Sequence, residues 1–176
     1  MKLFKTELKD CYVVQPRVFN DKRGFFFESY NKLNFKKNKL INNFVQDNFS
    51  QSKKNVLRGL HFQKKKPQAK FFYVTIGKVL DVVLDLRKSS KTYLKHQKFI
   101  LSDKNKKQIY IPPGFAHGFL VLSDTALCNY KCDNYYDPSD DGSIIWNDKD
   151  LNIKWGIKNP ILSDKDKKGL RIQDAL

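Results

Sequence analysis

Three cysteines in 176 residues, Cys11, Cys128 and Cys132, are odd in number and too few for a disulfide framework, which points to a reducing compartment. No apolar run reaches membrane-spanning length, and the opening "MKLFKTELKD" carries charge on both sides of a very short apolar patch, unlike a secretory signal. A soluble, cytoplasmic protein is the expectation. The three histidines, His61, His96 and His117, form no H-x-H or H-E-x-x-H pair and no cluster with cysteine, so no metal site is expected. A Walker loop, a G-x-G-x-x-G turn and a G-x-S-x-G elbow are all missing, which disfavours ATP hydrolysis, a Rossmann-bound dinucleotide and serine hydrolase chemistry. There is no internal repeat or low-complexity linker, and 176 residues fit a single domain spanning 1–176.

Acidic residues are also scarce. Eighteen Asp and Glu stand against 34 Lys and Arg, a net charge of +16. The lysines are spread in short runs such as "FKKNK" (35–39), "QKKKPQ" (63–68) and "KNKKQ" (104–108), and no zinc finger, basic zipper or RNA-binding signature accompanies them. The charge therefore reads as a solvated surface that attracts small anions, without a specific nucleic-acid partner.

What the chain does contain is aromatic and β-branched material, with 14 Phe and 8 Tyr, broken into short segments by Gly, Pro, Asn and Asp. "FFYVTIGKVLDVVLDLR" (71–87) reads as strand, tight turn near Gly77, strand. In its second half Val79, Asp81, Val83, Asp85 and Arg87 share one face, and Leu80, Val82, Leu84 and Leu86 share the other. Further strands are expected at 11–15, 24–30, 43–48, 56–62, 96–101, 107–111, 117–122, 126–135 and 143–146, with a brief helix within 31–40. Repeated crossover helices are missing, so a parallel α/β fold is disfavoured and an all-β barrel or double-sheet jelly roll is expected. The polar stretch 160–176 reads as a surface turn or short helix with a loose tail at about 167–176.

Local reasoning finds candidate chemistry in three places. "VLRGLHFQ" (56–63) sets Arg58, a fork suited to phosphate, near His61, with Gly59 limiting crowding. "IPPGFAHGF" (111–119) places His117 after a turn that can aim a side chain into a cavity. In "CNYKCDNYYDP" (128–138), Tyr130 shares a strand face with Ala126, Cys128 and Cys132, so it is either a packed ring or a proton donor. A histidine, lysine, tyrosine and arginine set of this kind suits proton transfer on an anionic substrate.

The ordered series "D-x-R-G-F-F-x-E" (21–28), "Q-D-N-x-S-x-S" (46–52), "V-L-R-G-L-H-F-Q" (56–63), "Q-x-K" (68–70), "I-P-x-G-F-A-H-G-F" (111–119), "W-N-D" (146–148) and "L-S-x-K-D" (162–166) closely resembles the dTDP-4-dehydrorhamnose 3,5-epimerase family. The resemblance implies a cupin-type double-stranded β-helix (jelly roll) with short peripheral helices, and a homodimer exchanging the N-terminal strand region of about 1–20. The implied reaction is epimerisation at C3 and C5 of dTDP-4-dehydro-6-deoxy-D-glucose, without a cofactor, in dTDP-rhamnose and polysaccharide biosynthesis. Carried over by motif, His61 is the base, Asp166 its orienting carboxylate, Tyr130 the acid and Lys70 the enolate stabiliser. Arg58, Arg23 and Lys165 grip the nucleotide diphosphate, Glu28, Gln46, Asp47 and Asn48 help to frame it across the dimer, His117 lies near the sugar, and Tyr136 stacks on the base. Asp141 stands where the family often has a glutamate that contacts the nucleotide. Inversion at only C3 or only C5, or nucleotide-sugar binding without turnover, are the alternatives the residues leave open.

Overall fold

The computed structural model describes residues 1–40 and 43–176. Its strands are β1 (Lys2–Lys5), β2 (Tyr12–Gln15), β3 (Val18–Asp21), β4 (Gly24–Phe27), β5 (Gln46–Lys53), β6 (Leu57–Gln63), β7 (Lys70–Ile76), β8 (Lys78–Asp85), β9 (His96–Ser102), β10 (Gln108–Ile111), β11 (Phe115–Val121), β12 (Thr125–Cys132) and β13 (Asp141–Ser143). Three short helices, α1 (Lys32–Lys37), α2 (Asp164–Lys167) and α3 (Ile172–Ala175), lie among them. Among the described residues no helix is long and apolar enough to cross a membrane.

The strands form three antiparallel sheets, in the orders β1-β2-β10-β7-β12-β5, β13-β6-β11-β8-β9 and β3-β4. This corrects the expected closed jelly-roll barrel of cupin type. Hydrogen bonding stops at β1 and β5 in the first sheet and at β13 and β9 in the second, and no ladder among the described residues joins those edges. The sheets are open, and their association is a matter of side-chain packing. The expectation of a β-rich chain with minor helices matches the observed elements.

Gly77 is a corner between sheets. Its φ of +85° and the 2.1 Å that would separate a Cβ from the Thr125 carbonyl admit only glycine, and the chain leaves the six-stranded sheet in β7 and enters the five-stranded one in β8. Strand β8 is then covered on both faces. Val79 and Val83 join Phe72, Val74, Ile109 and Phe119 in the core between the two large sheets. Val82 and Leu84 pack behind it with Leu57, Leu60, Ile144, Leu151, Trp155 and Ile172. Burying both faces explains why the strand reads as a near-continuous apolar run interrupted by Asp81 and Asp85.

The C-terminal residues supply that second cover. Asp148 accepts hydrogen bonds from the backbone N–H groups of Asp150, Leu151 and Ile172, at 2.9, 3.0 and 2.8 Å, and so ties the "WND" turn to α3. Ile172 and Ala175 are buried. A third cluster, Val14, Phe35, Leu40, Phe71 and Tyr110, seats α1 on the outer face of the six-stranded sheet.

Candidate active site

A cavity of about 330 Å³ opens between the two large sheets. One wall comes from β6 and β11 of the five-stranded sheet, carrying Arg58, His61, Gln63, His117 and Phe119. The facing wall comes from β5, β7 and β12, carrying Gln46, Asn48, Ser50, Lys70, Phe72, Tyr130 and Cys132. Tyr136, Asp141 and Lys165 complete its lining. Strand alternation produces this selection: on β5 it turns Gln46, Asn48 and Ser50 inward and Asp47 outward.

Glycine lets the histidine wall close. A Cβ on Gly59, at φ +104°, would meet the His117 carbonyl at 2.5 Å and Gly118 Cα at 2.7 Å, so β6 and β11 approach backbone to backbone at this point. The close crossing places His61 and His117 as cross-strand partners.

His61 Nε2 is 2.5 Å from Asp166 Oδ1. The carboxylate sits in α2, capped by Ser163, whose hydroxyl donates to Asp166 Oδ2 at 2.8 Å while accepting the Asp166 N–H at 3.1 Å. Burial by itself raises the Asp166 carboxyl, but the bonds from His61 and Ser163 and the Gly59 backbone amide outweigh it and hold the group below the usual carboxylate range. The dyad joins residues 105 positions apart in the chain.

Across the cavity, burial pushes the Tyr130 phenol up, with the Cys132 thiol adding to the shift and Arg58 opposing it. Burial pulls the Lys70 ammonium below the ordinary lysine value. Cys132 is pushed up to about 11, chiefly by burial, so it remains a thiol. Arg58 donates from Nε to Ser52 Oγ at 2.9 Å, fixing its fork at the cavity. At the rim, Asp141 accepts from the Tyr136 hydroxyl at 2.7 Å and from the Lys165 ammonium. The Asp141 bond, aided by burial, pushes Tyr136 up to about 12.

Of the residues expected at a site, Gln46, Asn48, Arg58, His61, Lys70, His117, Tyr130, Tyr136, Asp141 and Lys165 line this cavity, and Asp166 stands directly behind His61. Three do not. Asp47 is exposed and paired with Lys131 at 2.7 Å. Arg23 lies between β3 and β4, exposed, with its guanidinium 2.6 Å from Asp21. Glu28 accepts from Asn31 and Asn34 and borders a separate hollow with Arg17, Phe19 and Phe26. Sequence reasoning passed over Ser50, Gln63 and Cys132, and above all Asp81, which accepts from or shares a proton with His117 Nε2 at 2.6 Å. A carboxylate amid valines on a strand face was the available signal. Among the described residues no group of three or more His, Cys, Asp and Glu side chains is arranged to hold a metal ion.

A dyad on one wall facing a phenol and an ammonium on the other equips the cavity to take a proton from one side of a bound molecule and return one from the opposite side. The sequence profile of the dTDP-4-dehydrorhamnose 3,5-epimerase family matches residues 5–174. The dTDP-4-dehydrorhamnose 3,5-epimerase of Shigella flexneri is 48% identical over 178 aligned positions, covering 99% of this chain and 98% of the relative. The crystal structure of the enzyme of that name from Elizabethkingia anophelis superposes with a TM-score of 0.94 at 50% identity, covering 99% of this chain and 97% of that one. A dTDP-6-deoxy-D-glucose-3,5-epimerase from Legionella pneumophila, solved in complex with dTDP-4-keto-L-rhamnose, superposes with a TM-score of 0.94 at 41% identity, covering 98% and 93%.

Proposed function

The chain belongs to the dTDP-4-dehydrorhamnose 3,5-epimerase family, and from that membership we propose how its cavity performs the reaction. The protein is an isomerase that inverts C3 and C5 of dTDP-4-dehydro-6-deoxy-D-glucose to form dTDP-4-dehydro-L-rhamnose. The C4 ketone acidifies the neighbouring C–H bonds, so one base and one acid on opposite sides of the ring suffice for inversion. His61, neutral and oriented by Asp166, takes the proton. The C–H electron pair moves into a C=C bond and the carbonyl oxygen becomes an oxyanion, which the Lys70 ammonium stabilises. Tyr130 returns a proton to carbon from the facing sheet. His61 and Tyr130 then exchange protons with solvent before the second centre reacts.

The observation that carries this assignment is the placement of His61, backed by the buried Asp166, on one sheet and Tyr130 on the other, both lining one cavity. Incubation with dTDP-4-dehydro-6-deoxy-D-glucose in deuterated water, read by NMR, tests it. Deuterium with inversion at both C3 and C5 is expected, and His61→Asn should abolish both while leaving circular dichroism unchanged. Inversion confined to one centre would make the protein a mono-epimerase, and saturable binding without exchange would make it a binding module.

Arg58 and Lys165 would hold the diphosphate, with Tyr136 against the base and Asp141 at the rim. Arg23, Glu28 and Asp47 line no part of this chain's cavity. The β3–β4 hairpin that carries Arg23 also exposes Phe19, Phe25 and Phe26, and Phe26 is 69% accessible. We read the hairpin as packing on a second copy of the chain in a homodimer, with Arg23 and Glu28 serving the partner's cavity. Three free cysteines, all buried, fit a reducing, cytoplasmic setting.

A further inference from the structure

The cavity contains a second histidine–carboxylate pair, His117 with Asp81, which the mechanism above leaves without a task. His117 and Asp81 lie on the adjacent strands β11 and β8, and the Nε2–Oδ2 distance is 2.6 Å. Asp81 is fully buried and His117 is 7% exposed. The two dyads match in composition but differ at the second carboxylate oxygen. Asp166 Oδ2 is satisfied by Ser163, and the Gly59 amide also supports its charge. Asp81 Oδ1 has no hydrogen-bond partner among the described residues.

The two carboxylates are therefore held differently. His61, Ser163 and the Gly59 amide together support the charge on Asp166. The fully buried Asp81 stands between Val79 and Val83 on its strand face and opposite Phe119 on β11, within electrostatic reach of the Cys11 and Cys128 thiols, and its one hydrogen-bonded partner among the described residues is His117. Lys70 is within electrostatic reach but makes no bond to it. An isolated carboxylate is strongly disfavoured in such surroundings, and a net-neutral imidazolium–carboxylate pair removes most of that cost. The His117 ring lines the cavity, and its Nδ1 has no partner among the described residues.

We propose that Asp81 holds His117 as an imidazolium whose Nδ1–H donates to the oxyanion formed at C4, making His117 a second oxyanion donor beside Lys70 and Asp81 its positioning residue. The proposal rests on the epimerase reading. When the C–H bond breaks, its proton goes to His61 and its electron pair to the carbonyl oxygen; His117 donates a hydrogen bond and keeps its own proton. The two dyads then have opposite tasks, His61–Asp166 as base and His117–Asp81 as electrophile.

The protein has three histidines, so uniformly 15N-labelled material gives separable ring signals that His61→Asn and His96→Asn variants assign. At neutral pH, His117 is expected to show two protonated ring nitrogens. Asp81→Asn should return His117 to the neutral form and lower kcat by about 100-fold with KM little changed, and His117→Gln should lower kcat similarly. A neutral His117 in the unmodified protein overturns the proposal, as does an Asp81→Asn variant that loses only thermal stability. The NMR arm needs no turnover, so a protein that proved inactive would sink the epimerase reading separately.

Discussion

Lys70 occupies a cavity that also contains Arg58 and Lys165, and no carboxylate hydrogen-bonds to it among the described residues. Burial is the main reason its ammonium is held below the ordinary lysine value. The sign of the pH effect follows. Oxyanion stabilisation requires the ammonium, so kcat should fall on the alkaline side at a lower pH than an exposed lysine would dictate. Tyr130 is pushed up by its own burial, and its ionisation lies further to the alkaline side. A pH–rate series on Lys70→Arg is expected to move the alkaline limb upward at reduced kcat, because guanidinium does not lose its proton there. An unmoved limb would assign that titration to another group. His61, Tyr130 and Lys70 were legible as residues through motifs. Asp81 was not, because its significance depends on an unpaired oxygen that exists only once the valines of β8 have closed around it.

At the scale of elements, two devices hold the site. The first is the crossing of β6 and β11 at Gly59 and Gly118. Gly59→Ala would force a Cβ to 2.5 Å from the His117 carbonyl at φ +104°, so it should destabilise the fold by about 2–4 kcal/mol in urea titration. An unchanged midpoint would show that the strands separate without cost. The second is the Asp85–Arg87 turn at the end of β8. Asp85 accepts from Arg87 Nε and Nη2 at 2.9 and 2.8 Å, from Ser90 at 2.6 Å and from Thr92 at 2.6 Å. Burial raises its carboxyl, but these bonds prevail and lower it from 3.8 to about 2. A carboxyl depressed on folding adds stability above its unfolded value, here about 2 kcal/mol, and loses it as pH falls toward the folded value. Asp85→Asn should therefore lower stability at neutral pH and flatten the acid slope between about pH 4 and 2; a parallel slope would place the acid sensitivity elsewhere. Strand positions were legible from alternation and turn residues, with β6, β9, β10, β11 and β12 near their expected places and β5 displaced toward the C-terminus of the expected 43–48. β1 and β3 were not among the individual strands expected, although the region of about 1–20 was expected to contribute a strand.

For the whole molecule, assembly and charge are what remain to be measured. Sedimentation is expected to give a dimer, and a Phe25→Ser/Phe26→Ser variant a monomer with weakened substrate affinity as Arg23 and Glu28 leave the neighbouring cavity; a monomeric unmodified protein would end that reading. A surplus of 16 positive charges attracts the anionic substrate without specifying it. Composition and local order determined that this chain is β-rich, which strand faces are apolar, and which motif residues belong to the family, because alternation and side-chain chemistry are properties of short stretches. Tertiary structure alone decided that the sheets stay open, that Gly77 turns between sheets, that Asp81 is buried against His117, and that Arg23, Glu28 and Asp47 stand outside this cavity. These outcomes depend on strand pairing and burial between distant segments, and on which polar atoms are left without water when those segments meet.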